Sequence, residues 1–212
     1  MAFTLLDVAA GQVDLYNIDT LGPGPLVGLG GTQPTSRGFT NYPGTVMRGY
    51  DPFLGAGEFV FAKSSGTINY GTVCQWGTSV TAGRTDITMT AWAGTVNTGL
   101  PLAVAMQSLT VGQWGWYQVG GVAVTTVSGA PAVGNPAYWQ ASGVVSPTPV
   151  ASKQAVNALF ASAVSATIYT GATSTTAYNP ANVASTGNTG GLLSASQALV
   201  VLNRPYAQGA IT

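Results

Sequence analysis

From residue 57 onward, apolar side chains recur at every second position in short runs separated by Gly, Pro, Asn and Ser. Phe59 and Phe61 share one face of residues 58–63, and residues 72–76 follow turn signals at Gly66 and Gly71. Leu102, Val104 and Met106 alternate with Ala103, Ala105 and Gln107. Trp114, Trp116, Gln118, Val122 and Val124 hold one parity, while Tyr117 and Val119 hold the other. Short segments at 137–140 and 198–203 complete the series. Successive side chains of a strand point to opposite faces, so this period predicts strands. Many short strands divided by turn residues predict an all-β domain, a β-barrel or sandwich.

Two stretches depart from the pattern, and one is ambiguous. Residues 1–50 are broken by Gly22, Pro23, Gly24, Pro25, Gly28, Gly30, Gly31, Pro34 and Pro43, yet they keep Phe3, Leu5, Leu6, Val8, Val13, Leu15, Ile18, Leu21, Leu26, Val27 and Leu29. A disordered tail is poorer in apolar residues. The expectation is an extended N-terminal arm over 1–50, lying on its own domain, a sister subunit or another protein, with the β-domain over 51–212. Residues 169–191 are rich in Thr, Ser, Gly and Asn without an apolar period, which predicts a long surface loop. Val156, Leu159, Phe160, Ala163 and Val164 fit a helical spacing, but Val156, Ala158, Phe160 and Val164 equally fit one face of a strand. Pattern alone leaves both open.

Composition changes the picture by what it lacks. The 212 residues carry six basic and six acidic side chains and no histidine, for a net charge of zero. Ordinary soluble chains are about 25% charged; this one is 6% charged. A surface so poor in ions favours association, so partners are expected to cover much of it. Six scattered cations make no basic stripe, which argues against nucleic acid as a partner. The longest apolar runs fall far short of the ~20 residues of a membrane-spanning helix, and the first residues, with Asp7 and no basic cluster, make a poor signal peptide.

The candidate chemistry is correspondingly thin. Cys74 is the lone cysteine, so no intrachain disulfide or Cys-based zinc site forms, and without histidine it has no adjacent base to activate it. Asp51 and Glu58 are the one plausible carboxylate pair near the domain. Asp51 more readily caps the turn at Pro52, and Glu58 pairs with Lys63 or Arg48. Serine nucleophiles lack a base. The glycines at 28, 30 and 31 lack the Lys-Ser/Thr of a phosphate loop. No metal, cofactor or catalytic residue is expected. The five tryptophans, Trp76, Trp92, Trp114, Trp116 and Trp139, fit either a sugar-stacking platform or a core or subunit interface. Phe59, Phe61, Trp114, Trp116 and Tyr117 are the aromatics assigned to core or interface.

Several segments together resemble the capsid cement or decoration proteins of tailed bacteriophages. They are GEFVFAK at 57–63, GLPLAVAM at 99–106, VGQWGWYQVGGVAV at 111–124 and LNRPYAQGAIT at 202–212. The similarity runs in order through most of 43–212 and more loosely into the arm. The resemblance implies a small β-barrel or β-tulip on the outside of an icosahedral shell, usually a trimer, without catalytic residues. It implies strand over helix near residues 156–164, and the stretch 169–191 is longer than in the family. On this reading the chain is a structural virion protein, made in the host cytoplasm, that binds the major capsid protein and itself. Its arm residues Phe3, Leu5, Leu6, Val8, Leu15, Ile18, Leu26, Val27 and Leu29 contact capsid or sister subunits. The alternative is a β-rich adhesin or fibre domain that binds host receptors or glycans through its tryptophans.

Overall fold

A computed structural model describes residues 4–5, 44–51, 54–81, 84–96, 98–167 and 193–209. The described residues form strands and no helix. In chain order they are β1 (Thr4–Leu5), β2 (Val46–Asp51), β3 (Gly55–Ser64), β4 (Val73–Thr81), β5 (Arg84–Ala91), β6 (Leu102–Ala105), β7 (Trp114–Thr126), β8 (Pro136–Ala141), β9 (Val144–Ser146), β10 (Gln154–Phe160) and β11 (Gln197–Ala207). The fold is all-β, as the period-two pattern predicts.

One 11-stranded sheet runs in the order β1-β2-β3-β5-β4-β6-β7-β11-β10-β8-β9, and an added pairing of β3 with β7 closes part of it on itself. The strands β3, β5, β4, β6 and β7 thereby form a complete ring of hydrogen bonds. Within it β3 and β5 run parallel, and every other neighbouring pair runs antiparallel. Closure removes the free edges that open sheets expose. Val60, Ala62, Cys74, Met89, Ala103, Ala105, Tyr117 and Val119 pack as one cluster from these strands, joined by Ile68 and Leu109.

The remaining strands build on the ring. β11, β10, β8 and β9 continue from β7 and curl back, so that Val145 of β9 bridges Val127 just past the end of β7. A second and larger apolar cluster fills the space, with Trp92, Leu102, Val104, Ala123, Phe160, Val200 and Leu202 among its members. Phe59 and Phe61 of β3 join Trp114 and Trp116 of β7, with Met47, Leu54, Met106, Val124 and Leu193, in a third. β6 shows why the sequence alternates large with small. Leu102 and Val104 enter the larger cluster, whereas Ala103 and Ala105 turn into the ring, so both faces are buried.

β7 belongs to both halves. Its first part pairs with β3 and β6, its second with β11, and the hand-over falls at Gly120. The register with β3 slips there, so that Phe59 faces Gln118 while Glu58 faces Gly120. Gly121 takes φ +89°, and a Cβ at that position would lie 2.3 Å from the Ala56 carbonyl oxygen. Only glycine fits a left-handed conformation with backbone that close. The amide of Gln118, itself buried, donates to the carbonyls of Gly120 and Val122, both at 3.0 Å, and pins the corner from its own strand.

The ambiguous segment is a strand as far as Phe160, and residues 161–164 leave it through a bend and a turn. β10 buries Ala155, Ala158 and Phe160, and Asn157 sits between them at φ +61°. The pairing with β11 shifts register between Val156 and Ala158. A bulge inserts one residue and turns a two-residue repeat into a three-residue step. This local spacing mimics a helix in the sequence, and it leaves Val156 only half-buried.

Candidate functional site

Every one of the sequence-assigned aromatics is buried. Phe61 stacks on Trp114 with ring centroids 5.6 Å apart and lies against Trp116 at 5.2 Å. Val60 faces Tyr117 and Phe61 faces Trp116 across the β3–β7 pairing, so Phe59, Phe61, Trp114, Trp116 and Tyr117 all lie along that one seam. Phe59 and the two tryptophans share their cluster, and Tyr117 points into the ring.

The remaining tryptophans are committed as well. Trp92 is buried in the larger cluster, and Trp76 packs half-buried against the ring. Trp139 donates its indole N–H to the Trp92 carbonyl, holds the Lys153 ammonium 4.3 Å from its ring centroid and lies against Gly94. A Cβ at Gly94, which has φ +64°, would stand 2.1 Å from that ring. Stacking a sugar needs an exposed aromatic face, and none of these five offers a fully open one.

The groups with reactive potential are also enclosed. Cys74 is fully buried, burial drives its thiol well above the ordinary value, and its Sγ lies 3.5 Å from the Thr72 carbonyl. Burial likewise raises the Tyr117 hydroxyl, reinforced by Cys74 and opposed by the Ser64 side chain. A buried neutral thiol is a poor nucleophile. Among the described residues no group of three His, Cys, Asp or Glu side chains is placed to hold a metal. Among the described residues there is no helix long and apolar enough to cross a membrane.

Charge is distributed in a way that the net value of zero conceals. Asp51 and Asp86 are buried, and Asp51 Oδ1 accepts the Leu54 amide at 2.9 Å, capping its turn. Glu58 lies between two arginines, with Oε1 3.6 Å from Arg48 and Oε2 3.1 Å from Arg204. Both guanidinium groups are open to solvent, with side chains 78% and 73% exposed. A Cβ at Gly120 would come within 3.3 Å of the Glu58 side chain, so the glycine leaves room for that side chain to cross β7 towards β11. Arg48 was a sequence-level partner for Glu58. Arg204, 146 residues away, was not, because nothing local marks so distant a contact. Lys63 instead stands 5.9 Å from the Trp114 ring.

Beyond Arg204 the outer face of β10 and β11 is apolar. Leu159 pairs with Val201 and Val156 with Tyr206, and Leu159, Val201 and Tyr206 are 47%, 45% and 41% exposed. The signal in the sequence is that residues 198–202 are apolar at both parities, as a half-buried strand is not.

Of the expected arm contacts, Phe3, Leu6, Val8, Leu15, Ile18, Leu26, Val27 and Leu29 lie outside the described residues, as does the stretch 169–191. Leu5 is placed by its backbone, with Thr4 opposite Tyr50 and Leu5 opposite Gly49 on the outer edge of β2.

No family model matches the chain, and no curated protein does. Among solved structures it is similar to the N base of head fiber gp8.5 of bacteriophage phi29, with a TM-score of 0.41 and 11% identity over 70% of this chain and 95% of that one. A likeness at this level leaves the role of the chain to its own residues.

Proposed function

We propose that this chain is a structural virion protein that binds the outer face of a phage capsid and stabilises the shell. Its partners are the major capsid protein and further copies of itself, as a homotrimer, and it acts by adhesion rather than catalysis. The observation that carries this reading is where the family-like segments fall. Residues 57–63, 99–106 and 111–124, with residues 202–207 of the fourth segment, lie on or beside β3, β6, β7 and β11, which pack directly around β7. The resemblance thus follows the spatial core rather than scattered loops. The buried thiol, the enclosed tryptophans and the exposed apolar face on β10 and β11 favour broad surface contact over a reactive centre.

A protein that binds the assembled shell and not its separated subunits raises the stability of the shell by mass action. At a free concentration a hundred times its dissociation constant, each site gains about 2.7 kcal/mol. The test adds the purified full-length protein to shells lacking it, followed by electron-microscopic reconstruction and thermal disruption. Added density on the outer surface with a raised disruption temperature is expected. Bare shells at saturating protein would defeat the reading.

A further inference from the structure

The described surface is more basic than the sequence as a whole, and the compensating acid lies in the residues ahead of β2. Residues 1–43 carry Asp7, Asp14 and Asp19 against Arg37, a balance of −2. Residues 44–212 carry Arg48, Lys63, Arg84, Lys153 and Arg204 against Asp51, Glu58 and Asp86, a balance of +2. Two of those three carboxylates are buried and the third is shared by two arginines, so the Arg48–Glu58–Arg204 row keeps an excess of one positive charge.

We propose that the Arg48–Glu58–Arg204 row, with the exposed Val201–Leu159 pair beyond it, is a docking surface for the acidic, apolar segment 7–19 of the same chain. The inference concerns the free subunit and stands apart from the shell-binding reading. Three features converge on that occupant. The chain is already held at the row's outer end, because Leu5 pairs with Gly49, the residue next to Arg48. The charges are complementary, and Val8, Val13, Leu15 and Ile18 lie interspersed with the three aspartates, matching an ionic row flanked by apolar side chains. Reach is also short: Arg48 and Arg204 both contact the one Glu58 carboxylate, so a brief stretch of the arm can meet both. Each exposed charge contact is weak, about 0.2–1 kcal/mol, so the apolar pair must contribute alongside them.

Carbodiimide coupling in the full-length chain tests this directly, because the reagent joins a carboxylate to an amine only where they touch. R48K and R204K keep the charge and supply the amine, and unlabelled protein mixed with nitrogen-15 protein separates coupling within a chain from coupling between chains. Glu58 serves as the internal standard, since it already contacts both positions. The expected result is coupling of position 48 or 204 to Asp7, Asp14 or Asp19 within one isotopic species. Its yield should fall at least threefold in 1 M salt, where the screening length is about 3 Å. Coupling to Glu58 alone would overturn the proposal, as would equal coupling of the arm acids to Lys63 and Lys153. Coupling only between isotopic species would assign the surface to the arm of a second copy and overturn docking within the chain. If either lysine variant fails to fold, phenylglyoxal modification of the native arginines replaces it. Arg48 and Arg204 should react several-fold more slowly in the unsubstituted protein than in D7N/D14N/D19N, and equal rates would overturn the proposal.

Discussion

The sharpest consequence of the architecture is a difference between two glycines with nearly the same backbone angle. Gly112 has φ +86° and nothing within 4 Å of where a Cβ would stand, whereas Gly121 has φ +89° and would place that Cβ 2.3 Å from the Ala56 oxygen and 2.9 Å from Gly57 Cα. Alanine at either position meets the left-handed penalty of about 1–2 kcal/mol. That penalty is partly offset by about 0.4–1 kcal/mol, because alanine also restricts the unfolded chain. Gly112→Ala should therefore cost about 1 kcal/mol. Gly121→Ala adds a collision with backbone, which side-chain rotation cannot relieve, and overpacking of this kind costs a further ~1–3 kcal/mol. Its total is about 3 kcal/mol. In a chain of this size each kcal/mol moves the melting temperature by about 2–4 °C. Urea unfolding followed by tryptophan fluorescence gives both free energies, and a thermal melt should separate the variants by several degrees. If Gly121→Ala proved no more costly than Gly112→Ala, the corner of β7 would not be packed against β3 as described.

Two further outcomes follow from the buried groups. Phe61→Ala, which removes a buried ring stacked on Trp114 and tilted against Trp116, should cost about 3–5 kcal/mol and alter the native fluorescence, measured by the same urea titration; a loss below 1 kcal/mol would contradict the seam. Cys74 and Tyr117 have ordinary values of 9.0 and 10.0 and are both raised by folding, so the folded state retains protons that the unfolded chain releases. Stability from these groups is complete below about pH 9 and is lost above it. The loss is at most about 1.4 kcal/mol per pH unit for Cys74, joined by Tyr117 above about pH 10. Urea midpoints across pH 7–10.5 measure the decline, and Cys74→Ala should remove its earlier part.

How much of this was legible in the sequence depends on how local the cause is. Alternation marks β3 and β6 because each side chain's neighbours in sequence alternate faces. The helical look of residues 156–164 arises from Asn157, a single inserted residue whose left-handed φ leaves no trace in a pattern of apolar positions. Ring closure was invisible, because the pairings β3–β7 and parallel β3–β5 join residues far apart and impose no period. The same holds for Arg204 on Glu58. The burial of Phe59, Phe61, Trp114, Trp116 and Tyr117 follows from size and apolarity, but that they meet along one seam follows from register alone.

β7 also determines how the molecule comes apart. As a party wall between two compartments, it supplies lining to both, so neither can be opened while the other stays intact. Loosening the seam at Phe61 or the bend at Gly121 should be felt on the far side, among Val200, Leu202 and Phe160, which neither touches in sequence. The described strands on either side of β7 should therefore lose protection from hydrogen exchange together, as one cooperative unit.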